Sequence, residues 1–463
     1  MIQRHQLRPL YALASLALIS CASPPDRSDT PIVPLPATWT SATSAAPPTA
    51  WLDDFNTPKL NLLIDEALIN NSNLQVTAAR FSQAITEARI AGAEQLPTAG
   101  LGLNGTRQKI STFGPSSTGG VRFENYDLAL NLSWELDLWG QLRDRTSAAI
   151  AQLEASQAEL RGARLSLAAQ VAKSWFNYTA AQQQLFLAQR TADAYTENLT
   201  TIEARFKRGL SEGLELRQIR TQKAFADADI SIRRRALDQA ARSLEVLLGR
   251  YPEAALAISE TLPPLPAAIP AGLPAELLDR RPDLIAAERR LAATDKQLTA
   301  SRKDLLPKIS LTASSGSSSQ AFKNLLDNDF SVWSLGSNLA QPIFQGGRIL
   351  ANIDRSEAIR AQAVANYRST ALQAFLEVES TLAAERFLQL EQTQLALAAE
   401  EADATEDLAW QRYRDGTTDF INVLNSQRSS AAARSRLIAL RNLLLQNRID
   451  LYLALGGPFQ NES

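Results

Sequence analysis

The chain has one cysteine, one histidine and one methionine, at Cys21, His5 and Met1. A lone cysteine excludes an intrachain disulfide, and a lone histidine excludes Cys/His metal sites and histidine-based catalysis. Carboxylate chemistry survives that inventory, but nothing singles out a pair. No nucleophile–base set supports an enzyme, and no cofactor fingerprint stands in the chain. The formal net charge is −2, so there is no basic excess to attract nucleic acid. Proline is absent between Pro115 and Pro252 and again between Pro342 and Pro458. Long apolar runs are scarce as well. The one at Leu10–Ile19 is too short to span a membrane as a helix.

That run follows Arg4 and Arg8 and reads as a secretory signal over residues 1–20. It ends in Leu18-Ile19-Ser20-Cys21, which resembles a bacterial lipobox. In that motif the cysteine is lipidated and becomes the new N-terminus. An ordinary signal peptide with an incidental cysteine is the alternative. By resemblance to sorted lipoproteins, Ala22 directs such a chain to the outer membrane. An acyl chain attaches a protein to a bilayer without spanning it. Residues 21–58 are rich in Pro, Ser, Thr and Ala and read as an extended, poorly cored strap.

Within the stretch Tyr126–Trp139, the thirteen residues Tyr126–Leu138 alternate between apolar and polar, with Ala129 the exception. Leu128, Leu130, Leu132, Trp134 and Leu136 take one face; Asn131, Ser133, Glu135 and Asp137 take the other. At ~3.3 Å per residue it reaches roughly 43 Å, well beyond an ordinary strand. Such a strand can cross a hydrocarbon layer at a barrel's tilt, and equally can belong to a long soluble sandwich.

The chain repeats itself with an offset of about 210 residues, falling to about 207, far longer than a solenoid period. Leu68–Arg80 matches the segment from Leu278, and Ala204–Gly213 matches Gln411–Phe420. Residues 59–250 and 275–457 form the two copies, joined by a Pro-rich linker over 251–274. Each copy predicts a helix (about Leu60–Glu94 and Ala275–Leu305) stopped by Pro97 or Pro307. Two strands follow, about 98–112 and 123–138 in the first copy, about 308–319 and 330–344 in the second. Then come the proline-free tracts, Arg143 to about Phe206 and Ile349 to about Tyr413. Each predicts a helix of about 95–100 Å at 1.5 Å per residue. Gly209 and Gly416 mark a reversal into a second helix. Arg280 and Arg281 read as surface or cap residues at a helix start.

Four strands cannot close a barrel, and open edges cannot face lipid. If the strands span a membrane, several chains share one barrel; three would give twelve strands and a lumen.

Cys21, RPDLIAAERRL from Arg281, WELDLWGQLR from Trp134, QPIFQGGR from Gln341 and the glycine-turn tips together resemble the TolC-like outer-membrane efflux factors, lipoprotein (NodT-type) branch. The resemblance runs from Cys21 to about Pro458. It implies a mainly α protein with membrane β: a homotrimer with a twelve-stranded barrel continued by a periplasmic helical barrel. It also implies a periplasmic adaptor and an inner-membrane pump as partners, contact with outer-membrane lipid, and passive export of drugs or small solutes. The tips would close the periplasmic end through Arg205, Gly209, Glu212, Tyr413, Asp415, Gly416 and Asp419, with Tyr413 matching the family's constriction tyrosine. Asn422 and Asn425 stand where related channels carry aspartates, a departure that argues against strong cation selectivity. A coiled-coil scaffold tethered to the outer membrane is the competing reading; it leaves the two strand pairs without a purpose.

Overall fold

The computed structural model describes residues 39, 51–55, 57–111, 120–256, 261–267, 269 and 277–457. The signal segment, Cys21 and Thr112 lie outside them. The first expected helix is two: α1 (Pro58–Asn70) and α2 (Ser72–Ala93). Asn71 between them is extended. Its Oδ1 accepts from the Leu74 N–H at 3.1 Å, which caps α2. The second copy breaks at the matching place, between α5 (Leu277–Arg280) and α6 (Pro282–Arg302). Pro282 disfavours a helical conformation at Arg281.

The sheet is a four-stranded antiparallel meander, β1 (Thr98–Ile110), β2 (Val121–Leu136), β3 (Lys308–Ser319) and β4 (Ser331–Ala340). β2 ends before the expected Leu138. Asp137 turns out of the ladder there, and its carboxylate accepts from the N–H groups of Leu142 and Arg143 at 3.0 and 2.9 Å. β4 stops at Ala340, short of Phe344, because Pro342 has no N–H to give a ladder. Directly paired residues of an antiparallel sheet share a face. The register therefore puts Leu101 and Leu103 beside Leu130 and Leu128, and Leu132 beside Ala313 and Leu335. The other face carries Asn131, Ser133, Ser314, Thr312 and Asn338. One face thus carries a band of leucines with Trp134, Ile309 and Trp333, interrupted on β3 by Ser315 and Ser317, and the other is mostly small and hydrophilic.

Four long helices complete the chain: α3 (Gln141–Lys207), α4 (Gly213–Leu247), α7 (Arg348–Arg414) and α8 (Phe420–Ala454). The two of 67 residues run about 100 Å at 1.5 Å per residue. α3 packs on α2 and α6 and, further along, on α4 and α8; α7 packs on α6 and α8. The shorter helices stack end to end. The Asn71 amide donates to the Leu247 carbonyl at 2.9 Å, joining α2 to α4. Arg281 donates to the Ala454 carbonyl at 3.1 Å, joining α6 to α8. Arg281 is the cap residue expected at a helix start, but it is buried and not at the surface. It is 7% exposed and pairs with Asp283 and Glu377, both at 2.7 Å. Both joints need a glycine. A Cβ on Gly249 would lie 2.6 Å from the Asn70 carbonyl oxygen, and one on Gly456 3.0 Å from the Arg280 carbonyl carbon. The terminal helices of this layer keep exposed apolar rows: Leu62, Ile69, Val76 and Ile90 on α1 and α2, and Leu376, Leu390 and Leu397 on α7. Within each helix the row steps by seven or fourteen residues, multiples of the coiled-coil heptad.

The strap is better cored than its composition suggests. Trp51, Leu52 and Phe55 are buried. Trp51 stacks on Tyr452 at 5.6 Å and Phe55 meets Phe176 at 5.3 Å, while the Tyr452 hydroxyl bonds Asp54. The linker is held by Arg448, which is fully buried. Its guanidinium grips Glu385 at 2.5 and 3.0 Å and donates to the Pro266 carbonyl at 2.8 Å. Hydrogen bonds on both sides offset the cost of burying that charge.

Candidate functional site

The tips of the two helical hairpins meet in one nucleus. α3 ends in a left-handed Gly209, with Leu210 N–H donating back to the Arg205 carbonyl at 2.9 Å. α7 ends the same way at Gly416, with Thr417 N–H on the Arg412 carbonyl at 2.9 Å. These reversals bring Ile202, Leu216 and Ile219 of the first copy against Tyr413, Phe420 and Val423 of the second. Tyr413 is 5% exposed. Its ring packs on Trp410 at 6.0 Å and Phe420 at 5.3 Å, and the Arg205 guanidinium lies 5.0 Å above it. The phenol donates to Glu215 Oε2 at 3.3 Å, and Ser211 Oγ donates to the same oxygen. Burial, reinforced by the Glu215 charge, pushes the phenol above its ordinary value of 10.0. Arg205 Nε is buried and finds no acceptor.

Of the residues expected at the tip, the structure joins Arg205 and Tyr413. The carboxylate between the copies is Glu215, not Asp415 or Asp419. Glu212, Asp415, Asp419 and Asn425 are exposed, as are Gly209 and Gly416. Asn422 is exposed too and donates to Thr418 Oγ1 at 2.9 Å. Sequence reasoning missed Glu215, Ser211 and Trp410. A signal for Glu215 existed: at the offset of about 207 residues it is the counterpart of Asn422. The acid absent from the second tip stands in the first.

On β2, Leu130, Leu132 and Trp134 are exposed in the single chain, and Leu128 and Leu136 are half-buried. All five share the apolar face. Trp134 also donates from Nε1 to the Gln95 carbonyl at 2.9 Å, and Trp139 to the Pro307 carbonyl at 2.7 Å. These indoles stitch the strand ends to the helix–strand turns. Among the described residues no group of His, Cys, Asp or Glu is placed to hold a metal ion.

A duplicated chain whose sheet has one leucine-rich face and, among the described residues, two unpaired edges, continued by hairpins of hundred-ångström helices, is built as a segment of a membrane channel wall. Residues 63–250 and 273–457 match the outer membrane efflux protein family, and the chain belongs to it. The toluene efflux pump outer membrane protein TtgF of Pseudomonas putida is 32% identical over 465 residues, covering 97% of this chain and 96% of that protein. The cation efflux system protein CusC of Escherichia coli is 31% identical, covering 96% and 97%. Among solved structures, the MtrE outer membrane channel of Neisseria gonorrhoeae in its open state has a TM-score of 0.81 at 29% identity, covering 93% of this chain and 97% of that one. The outer-membrane channel OprN gives 0.86 at 26%, covering 92% and 98%. The chain is an outer-membrane channel of an efflux system, with the mainly α, membrane-β, internally duplicated fold. The scaffold reading has no counterpart among these relatives.

Proposed function

We propose that three copies close one twelve-stranded barrel and one helical tube, giving a passive exit duct for drugs or small solutes. The observation that carries this is the pair of open edges. Among the described residues β1 and β4 each pair on one side only, and the apolar rows on α1–α2 and α7 lie on the terminal helices of the same layer. Unpaired ladder groups in lipid cost several kcal/mol each, so the edges demand further copies. Leu128, Leu130, Leu132, Trp134 and Leu136 then face lipid, and the hydroxyl- and amide-rich face lines the lumen.

The periplasmic end meets an adaptor protein and, through it, an inner-membrane pump; the hairpin tips are the surface they engage. The tip nucleus around Tyr413, Arg205 and Glu215 keeps that end narrow, and Asn422 and Asn425 line a weakly charged throat. Residues 1–20 are a signal, Cys21 carries lipid at the outer membrane, 21–58 strap the chain, and the repeats span 59–250 and 275–457 about the 251–274 linker. Names of relatives at 31–32% identity mention toluene and cations, so cargo is set by details of the wall and by the pump. Purified protein in a planar bilayer tests the duct. A steady conductance from a three-chain particle is the expected result; a particle of three chains silent at all voltages overturns it.

A further inference from the structure

Below the sheet, α3, α6 and α7 enclose a groove of about 790 Å³, within the range of sites for drug-sized molecules. Its floor is alanine, Ala149 and Ala363 among others, and its rim carries the amides of Gln152, Gln297, Gln362 and Asn366. Among the described residues none of these four amides makes a side-chain hydrogen bond within the chain. Two arginines also reach the groove, but each is already neutralised. Arg145 lies 3.6 Å from Asp304, and Arg290 pairs with Glu159.

The groove faces away from the strap. On α7 the strap covers Phe375, which meets Trp39 at 6.1 Å. At about 100° per residue, Asn366 lies roughly 180° and Gln362 roughly 140° around the helix from Phe375. The strap residue Trp39 thus meets one side of α7, and the groove amides lie on the opposite side. In a tube the chain segments wrapped over the helices lie outside, so the groove opens on the lumen.

We propose that this groove is a solute-binding station on the channel wall, one per chain, for flat amphipathic molecules of zero net charge. The apolar face of such a solute lies on the alanines, and its polar edge takes the four amides. Neutralised arginines remove the electrostatic preference that bare guanidinium groups would give to anions. Small residues and an open mouth keep the hold weak, as conduction requires: a site must release what it binds. The station rests on the reading of this chain as an open duct.

The test uses the full-length channel in a planar bilayer with ciprofloxacin, a flat aromatic zwitterion at neutral pH, as probe. Wild-type channels show brief, saturable interruptions of ion current. Ala149→Trp with Ala363→Trp fills the groove and lowers the association rate of the probe at least tenfold. Gln362→Leu with Asn366→Leu keeps the volume, removes half the rim, and shortens each interruption severalfold. A disulfonated aromatic dye of similar size interrupts the current at least tenfold less often than the zwitterion. Unchanged interruptions in both double variants, or equal blocking by the dianion, overturn the station while leaving the duct intact. Absence of any ion conductance in wild type overturns the duct reading itself.

Discussion

Tyr413 is held by three different forces, and they separate by substitution. Tyr413→Phe keeps the stacking on Trp410 and Phe420 but loses the bond to Glu215, worth about 1 kcal/mol. Tyr413→Ala also empties a buried aromatic site, a loss of about 3–5 kcal/mol. Single-channel conductance is expected to rise slightly in the first variant and strongly in the second, with sensitisation to large antibiotics. No change in either removes Tyr413 from the gate. The phenol's value is raised above 10.0, so its contribution is complete below pH 10 and fades as pH climbs through the raised value. Asn422→Asp is expected to add three carboxylates around one throat, raising cation preference and creating a divalent-cation block; unaltered reversal potentials would argue against a throat there. On β2, Leu130→Arg is expected to cost about 2–4 kcal/mol in the bilayer and Asn131→Arg far less. Equal loss of assembled protein on a native gel would contradict the assigned faces. The faces were legible because period two admits one answer once one side is apolar. Glu215 was not, because nothing local distinguishes it from other acids at a helix start.

At the scale of elements, the long helices were legible from missing proline and from glycine at each reversal, and their ends fall within about two residues of expectation. The breaks at Asn71 and Arg281 were not. At Asn71 the partner is the end of α4, and no window of sequence contains both; at Arg281 Pro282 gave a local signal that the continuous apolar pattern masked. The joints predict an asymmetry among glycines. Gly209 and Gly249 both have positive φ, but a Cβ on Gly209 meets nothing within 4 Å, whereas one on Gly249 strikes backbone. Gly209→Ala should therefore cost about 1–2 kcal/mol from backbone strain alone. Gly249→Ala must also push α2 and α4 apart and should lower the melting temperature markedly more. Equal melting shifts in the two variants would mean that the joint tolerates separation.

For the whole molecule, the lipid expected on Cys21 bears on retention in the membrane. Cys21→Ser is expected to weaken membrane retention only partly, because a barrel still holds the assembly. Intact-mass measurement of the mature wild-type protein should find lipid on a chain beginning at Cys21; an unmodified cysteine there contradicts the anchor. The strap's aromatic anchorage escaped the composition argument because Trp51 and Phe55 are few among many Pro and Ser residues, yet they reach Tyr452 and Phe176, which lie far off in sequence. The two joints also differ in chemistry: at the first the Asn71 amide is joined by a half-exposed Arg250–Glu66 pair, and at the second a buried guanidinium meets two carboxylates. In the proposed threefold assembly a duplicated chain would make a near-sixfold ring, whose circumference would alternate between a more pliant joint and a stiffer one. Any twist applied from below is shared unequally, and such a ring yields as a triangle before it yields as a circle.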